Sequence, residues 1–118
     1  MTVRPAFDFE LEQLVLRAFD EIPIAFREQI SNLGFVIEDE PPPGKPWLAS
    51  YHGQPLTKQS ALQPWAWPRK ITFYSGPIKR LCGNDPRRLE NELRRLVRHE
   101  VAHYFGISDE RLVEIGRY

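Results

Sequence analysis

The chain has 118 residues, 42% of them hydrophobic, and its 16 lysines and arginines balance 16 aspartates and glutamates, so the formal net charge is zero. This length predicts one domain, 1–118, and the zero net charge excludes an overall field that would attract nucleic acid or an anionic membrane. Cys82 is the only cysteine, which excludes an internal disulfide framework, and neither a signal peptide nor a run of about 18 apolar residues occurs, so we expect a cytoplasmic protein without membrane contact.

The first predicted element is an amphipathic helix. Its apolar residues recur at the i, i+3 and i+4 positions that form one buried face: Leu11, Leu14, Val15, Ala18, Phe19 and Ile22. Pro23 ends this helix, because its ring cannot continue one, and it suits the first turn of another. We therefore expect a second short helix that buries Phe26, Ile30 and Leu33 and stops at Gly34.

Three short strands are predicted in the middle of the chain. β-Branched and aromatic residues at 35–37, 47–52 and 71–74 favour extended structure, and Ser75-Gly76-Pro77 is expected to close the third strand. Between the second and third strands, residues 55–68 contain prolines and tryptophans with little periodicity. We expect this segment to be an ordered excursion that can line a cleft.

The most regular predicted element is a helix over about 86–105. Asn84 or Asp85 can cap its first turn, Pro86 suits its first position, and Gly106 ends it. Ser108 is suited to cap a final short helix. The order of helices, strands and helices predicts an α+β fold in which a small sheet packs on helices.

Residues 99–103, near the end of that helix, read His-Glu-Val-Ala-His. At about 100° per residue, His99 and His103 project about 40° apart and one turn along the axis, so both imidazoles can reach one zinc ion. Glu100 lies one residue around the helix from His99, where a carboxylate can act as a general base on a water at the metal. The spacing therefore predicts a zinc site with Glu100 as the catalytic residue.

Glu100 also falls on the apolar side of the helix, together with Leu89, Leu93, Leu96, Val97 and Tyr104. Burying a carboxylate is costly unless a cation is near, and His103 is the only basic side chain three or four positions away. A surface salt bridge therefore explains Glu100 less well than a role at a metal.

A catalytic zinc site normally has three protein ligands and one open position, so a third ligand is required. Asp109 is the leading candidate, because it follows His103 at the distance that the pattern HExxHxxGxxH gives its third histidine, and Gly106 permits the chain to reverse. Glu110 and Glu114 are alternative ligands, and Asp109 can instead favour the N-terminus of the last helix through the helix dipole.

With the ending His-Glu-x-x-His-x-x-Gly-x-x-Asp, the chain resembles the minimal zincin-like metallopeptidases of bacteria. Segments 48–53 with 55–57, and 71–74 with 76–78, are similar to two middle blocks of that family. The resemblance implies a reduced zincin-like fold with a small mixed sheet on helices, a peptidase role, and zinc on His99, His103 and Asp109. Met1 is the sole methionine, so the methionine turn of true metzincins is missing.

Two functions are compatible with these features. The first is a zinc-dependent peptidase that acts on a peptide or protein substrate, and the second is a catalytically silent, metal-stabilised module for peptide binding or regulation. Glu100 favours the peptidase, because a structural zinc site normally has four ligands and needs no general base. The chain is too small for the second subdomain that usually forms one wall of a zincin cleft, and a partner protein can supply that wall.

The remaining polar residues receive structural interpretations. Five arginines of the last long helix have glutamates nearby and are expected to form a solvated, paired surface rather than a nucleic-acid site: Arg87, Arg88, Arg94, Arg95 and Arg98. Tyr51, Tyr74 and Tyr104 can each stabilise an oxyanion but are expected to be packing residues. His52 is expected to be an ordinary strand residue, and Cys82 a small buried one.

Overall fold

Helices and strands occur in the order that the sequence predicts, with one additional helix. The structure, a computed structural model, describes residues 8–53, 69–108 and 110–111. Its main elements are α1 (Phe9–Asp20), α2 (Ile24–Arg27), β1 (Leu33–Glu38), β2 (Ala49–His52), β3 (Arg69–Tyr74), α3 (Ser75–Cys82) and α4 (Pro86–Tyr104). The fold is therefore α+β, as predicted.

β3 is the central strand of a three-stranded mixed sheet with the order β1-β3-β2. It runs parallel to β1 and antiparallel to β2. Four consecutive residues of β3 are buried, as expected for a central strand covered on both faces: Ile71, Thr72, Phe73 and Tyr74. β1 instead alternates between half-buried and exposed residues, which is typical of a strand with one face on the core.

One face of this sheet and the helices enclose the hydrophobic core. Phe35 and Ile37 of β1 lie in register with Ile71 and Phe73 of β3, so their side chains share a face. α4 packs against α1, α3 and β2. The fully buried core residues come from α1, β3, α3 and α4 and include Leu11, Val15, Ile71, Phe73, Ile78, Leu93 and Val97. Each such burial stabilises the fold by roughly 1.5–3 kcal/mol, so α4 is held in place along most of its length.

Side-chain caps determine where both long helices begin. Asp8 accepts a hydrogen bond of 2.9 Å from the backbone N–H of Leu11 at the start of α1. Asp85 accepts bonds of 3.1 and 3.2 Å from the N–H groups of Arg87 and Arg88, and the first position of α4 is a proline. Both long helices are therefore confirmed with nearly the predicted bounds.

Two of the five arginines of α4, Arg94 and Arg95, pair with acidic residues in the described part of the chain, as expected. The Arg94 guanidinium donates to Glu21 at 2.7 Å and to Glu90 at 3.0 Å. Arg95 pairs with Glu92 one turn earlier on the same helix. These pairs support the interpretation of this surface as a solvated, charge-balanced one.

The second helix is much shorter than predicted. α2 has only four residues and buries none of them, and Phe26 is 51% exposed. Leu33 and Gly34 belong to β1 and not to a helix. Asn32, whose φ of 55° lies in the left-handed region, stands between α2 and these two residues. A residue in that conformation cannot continue a right-handed helix, so the chain turns into β1.

The segment after β3 is a helix and not the predicted turn. Residues 75–77 form the first turn of α3, where proline needs no N–H partner. The N–H of Gly76 donates to the carbonyl of Asp39 at 2.8 Å, and a Cβ on Gly76 would lie 2.8 Å from the same oxygen. Glu40 holds this loop in place through two bonds to Arg80 of 2.9 and 3.0 Å. Gly76 therefore permits the segment after β1 to lie close to the first turn of α3, and Pro77 is compatible with that turn.

Two of the predicted strands are present with slightly different bounds. The predicted strand at 47–52 is present as β2 but begins at Ala49, and the strand at 71–74 begins earlier, at Arg69. Cys82 is buried in the core, as expected. The excursion at 55–68 and residues 112–118 lie outside the described residues. None of the helices in the described part of the chain has the length and apolar character of a membrane span.

Candidate metal centre

His99, Glu100 and His103 form a group on α4 in which three candidate ligand atoms, one per side chain, lie within 4.8 Å of one another. The two imidazole rings have centroids 4.8 Å apart and planes at 82° to each other. The helical repeat explains this arrangement, because residues four apart lie one turn apart on the same side of a helix. Both rings can therefore approach a single ion.

A hydrogen bond to the backbone orients His103. Its Nδ1 atom lies 3.1 Å from the carbonyl oxygen of Ile107. A carbonyl can only accept a hydrogen bond, so Nδ1 carries a proton, and in the neutral form of this tautomer Nε2 has the lone pair that can bind a metal ion. Hydrogen bonds of this kind select the tautomer and ring orientation of metal-binding histidines.

The Ile107 carbonyl reaches His103 because α4 ends in a Schellman motif. Gly106 has a φ of 85°, and its N–H donates to the carbonyl of His103 at 2.9 Å. The N–H of Ile107 donates to the carbonyl of Ala102, also at 2.9 Å. These two bonds define the motif, and its left-handed position strongly favours glycine. Gly106 therefore ends the helix and also supports the orientation of His103.

Glu100 is only 6% exposed, as the helical wheel predicts. On α4 the other buried residues are apolar except for a tyrosine: Leu89, Leu93, Leu96, Val97, Val101 and Tyr104. A carboxylate in such surroundings attracts a cation strongly, because little water is available to screen its charge. Glu100 thus lies beside the two histidines and among apolar residues, and not among the paired arginines.

Tyr104 anchors α4 to the segment that precedes β1. Its hydroxyl accepts a hydrogen bond of 2.9 Å from the N–H of Ser31 and lies 3.1 Å from the Ser31 carbonyl and 3.4 Å from the Gln29 carbonyl. The guanidinium of Arg69 lies 5.2 Å from the centre of its ring. These contacts agree with a packing role for Tyr104.

Tyr51 lies on the face of β2 that packs towards the core and α4. Burial raises the pKa of its hydroxyl, and the nearby charge of Arg69 opposes that increase only in part. Tyr51 is therefore a neutral hydrogen-bond donor at neutral pH. On the opposite face, Ser50 Oγ lies 2.9 Å from the Tyr74 hydroxyl and 3.1 Å from Nε2 of His52. Tyr74 and His52 thus contact Ser50, and His52 does not belong to the group of His99, Glu100 and His103.

The donor set of the group fits a zinc ion. Two imidazoles supplemented by a carboxylate ligand are a common protein ligand set in catalytic zinc sites, and a neighbouring glutamate is their usual general base. Asp109, the predicted third ligand, lies outside the described residues. Glu110 is described and exposed, and it is not part of the group. The structure therefore brings together His99, Glu100 and His103, hereafter the metal group.

Sequence reasoning missed the contribution of the Ile107 carbonyl. A backbone oxygen has no residue type of its own, so no motif marks it. The available signal is Gly106, which follows the second histidine by three residues and suits the left-handed position of a Schellman motif. From that position the two residues after the helix can be expected to fold back over its last turn.

Comparisons with known proteins show the family of the chain and agree with its fold. A family model described as zincin-like metallopeptidase matches residues 30–117, and the chain belongs to this family. A solved structure of a conserved hypothetical protein from Thermus thermophilus is similar, with a TM-score of 0.58 and 23% sequence identity over 92% of this chain and 97% of that chain. At this identity the likeness shows the shared fold alone. Among curated proteins, none matches the chain.

Proposed function

We propose that this protein is a zinc-dependent metallopeptidase that hydrolyses peptide bonds, with zinc on His99, His103 and Asp109 and with Glu100 as the general base. The observation that carries the proposal is the grouping of two histidines and a buried glutamate within 4.8 Å on one helix. Membership of the zincin-like metallopeptidase family supports it. A purely structural zinc site would normally have four ligands and no such glutamate.

Glu100 has the proton-transfer role in this proposal. A bound zinc ion would polarise the scissile carbonyl and lower the pKa of a water molecule to near neutrality. Glu100 accepts the proton of that water and later donates it to the leaving amine nitrogen. Its burial suits this role, because a carboxylate already held in a poorly solvated position requires little reorganisation during the reaction. Throughout the reaction, the Nδ1–H of His103 stays hydrogen-bonded to the Ile107 carbonyl.

The edge of β2 is the proposed position for an extended substrate. β2 is an edge strand of the described sheet, and it packs on α4, which carries the metal group. A peptide that adds beside such a strand gains main-chain hydrogen bonds and presents alternate side chains to the cleft. Tyr51 lies on the side of β2 that faces α4, and its neutral hydroxyl can donate to a developing oxyanion. A partner protein is proposed to complete the other wall of the cleft.

Elemental analysis of the purified protein tests the proposed ligands. We expect about one zinc per chain in the wild type and clearly less in His103→Ala and Asp109→Ala. Glu110→Ala changes the adjacent, exposed carboxylate and is the matched control, which should retain its zinc. Full zinc content in Asp109→Ala would assign the third position to another residue.

Peptide hydrolysis is tested with the zinc-loaded protein and a mixture of synthetic peptides, with new termini detected by mass spectrometry. Glu100→Gln should keep its zinc and cleave at least about 10²-fold more slowly, because a positioned general base typically contributes 10²–10⁴-fold. If wild type and Glu100→Gln form the same peptide ends at the same rate, the peptidase proposal fails. A metal-stabilised peptide-binding module would then be the better interpretation.

A further inference from the structure

A pocket of about 230 Å³ lies between α4, the end of α1 and α2. Its lining is mostly apolar and includes Ile22, Phe26, Val101, Phe105 and Ile107. Phe26 is half exposed, and its ring packs edge-on against Phe105 with centroids 5.6 Å apart. The pocket therefore presents apolar side chains to solvent at a site that the proposed reaction does not use.

The pocket opens on a different side of α4 from the metal group. Val101 and Phe105 lie two positions before and two positions after His103. At about 100° per residue, each of them projects roughly 160° away from His103 around the helix. The pocket is therefore a separate site and not a part of the proposed substrate cleft.

Positive charge lies beside this apolar surface. Arg94 and Glu21 both line the pocket, but they pair with each other at 2.7 Å, and Arg94 also pairs with Glu90 at 3.0 Å. Arg98 also lines the pocket and is exposed, and it forms no ion pair with any residue that the structure describes. A guanidinium that has no ion pair among the described residues and lies beside an apolar cavity favours a ligand with one anionic group, and a carboxylate matches its fork of N–H donors.

We propose that this pocket binds a small free carboxylic acid with a hydrocarbon body, the carboxylate on Arg98 and the hydrocarbon against Val101, Phe105 and Ile107. The volume lies below the roughly 300 Å³ at which pockets for drug-sized ligands begin, so the ligand is small. The C-terminal residue of a peptide carries the same carboxylate but adds a backbone amide. The mostly apolar lining would leave that amide without a hydrogen-bond partner, which favours the free acid.

Ile107 connects the pocket with the metal group. Its side chain lines the pocket, and its carbonyl accepts the hydrogen bond from Nδ1 of His103. A ligand that packs against Ile107 holds the turn after α4 and, with it, the ring orientation of His103. By thermodynamic linkage, the acid and zinc then strengthen each other's binding.

The first test uses zinc-free protein and octanoate as the probe, so its result does not depend on the proposed peptidase activity. Backbone amide signals of pocket residues, above all Val101, Phe105 and Ile107, should shift saturably in NMR spectra as octanoate is added. 1-Octanol has the same chain without the charge and should bind about tenfold more weakly. No saturable shift of these signals would overturn the proposal, and tighter binding of N-acetyl-leucine than of octanoate would overturn the choice of a free acid.

Two arginine variants test whether Arg98 is the residue that binds the carboxylate of octanoate. Arg98→Gln should weaken octanoate binding about tenfold and remove the difference between octanoate and 1-octanol. Arg87→Gln changes an exposed arginine in the first turn of the same helix and should alter neither affinity. Equal binding of octanoate by wild type and Arg98→Gln contradicts the proposed site.

The proposed linkage between the pocket and the metal group is tested separately, by measuring the affinity for zinc. Saturating octanoate should tighten zinc binding of the wild type in a chelator competition, and it should have no such effect on Arg98→Gln. The same increase in both proteins would mean that octanoate acts at the metal itself, which contradicts the linkage. An unchanged zinc affinity in the wild type also contradicts it.

Discussion

Nδ1 of His103 lies 3.1 Å from the carbonyl oxygen of Ile107, four residues further along the chain. The contact exists because Gly106, with a φ of 85°, folds the backbone back over the last turn of α4. The orientation of a candidate zinc ligand thus depends on the turn that follows its helix. A change in that turn is expected to reach the metal without altering any ligand.

Gly106→Ala should lower both the stability and the zinc affinity of the protein. A left-handed conformation costs a residue with a side chain about 1–2 kcal/mol, so the turn is expected to relax. Loss of the bond from His103 should weaken zinc binding by about 10–100-fold, the usual effect of removing such a supporting contact. Urea unfolding of the zinc-free protein and chelator competition measure the two quantities.

Gly83→Ala is the matched control for this prediction. Gly83 also has a positive φ, 63°, but it follows α3, at the far end of α4 from the histidines. Its ψ of −141° lies close to a region that is essentially restricted to glycine, so this variant should lose at least as much free energy of unfolding but keep its affinity for zinc. Equal zinc affinities in the two variants would mean that the Ile107 carbonyl does not matter for the metal.

Tyr104→Phe should lower the free energy of unfolding by about 1–3 kcal/mol, because it leaves the N–H of Ser31 without its buried acceptor. Tyr74→Phe is the comparison, since the Tyr74 hydroxyl bonds only to a side chain among the described residues, Ser50, which also contacts His52. Tyr74→Phe should therefore lose less free energy of unfolding than Tyr104→Phe. Urea unfolding at neutral pH measures both, and equal losses would contradict the anchoring role of Tyr104.

Removal of zinc with EDTA should lower the thermal midpoint of the wild type by several degrees. A ligand that binds only the folded state stabilises it by about 4 kcal/mol when its free concentration is 1,000 times Kd. Scanning calorimetry of His99→Ala should show no effect of EDTA. His52→Ala removes an exposed histidine outside the metal group and should keep the full effect. An EDTA effect that persists in His99→Ala would place the bound metal elsewhere.

Asp8 should make the stability of the protein depend on pH in the acid range. Burial raises the pKa of its carboxyl, but Lys79 and the backbone N–H of Leu11 lower it by more, so the pKa lies below its usual value. A depressed folded-state pKa means that the carboxylate stabilises the fold above the unfolded pKa of about 3.9 and loses this contribution as the pH falls through the folded value. Asp8→Asn should therefore cost about 0.5 kcal/mol at pH 7 and progressively less towards pH 3.

Urea unfolding of wild type and Asp8→Asn at pH 7, 5 and 3 checks this prediction. Lys79→Met removes the partner charge, and its effect should not add to that of Asp8→Asn in the double variant. A difference between wild type and Asp8→Asn that grows as the pH falls would show that the sign of the argument is wrong.

Local rules made α1, α4 and the histidine spacing predictable from sequence. The 3.6-residue repeat places His99 and His103 on one side of a helix and Glu100 on its apolar side, whatever the rest of the fold is. The same rules failed at α2 and α3. There, contacts between distant segments decide, as in the bond from Gly76 to Asp39, which turns a predicted loop into the start of a helix.

The sequence by itself thus determined the long helix, the donor set of the metal group and the burial of Glu100, because each depends on residues within about one turn of one another. Only the tertiary structure decided how His103 is oriented and which groups surround the pocket beside Arg98. A backbone carbonyl has no residue identity, and a cavity between α1, α2 and α4 exists only after residues far apart in the chain have packed together.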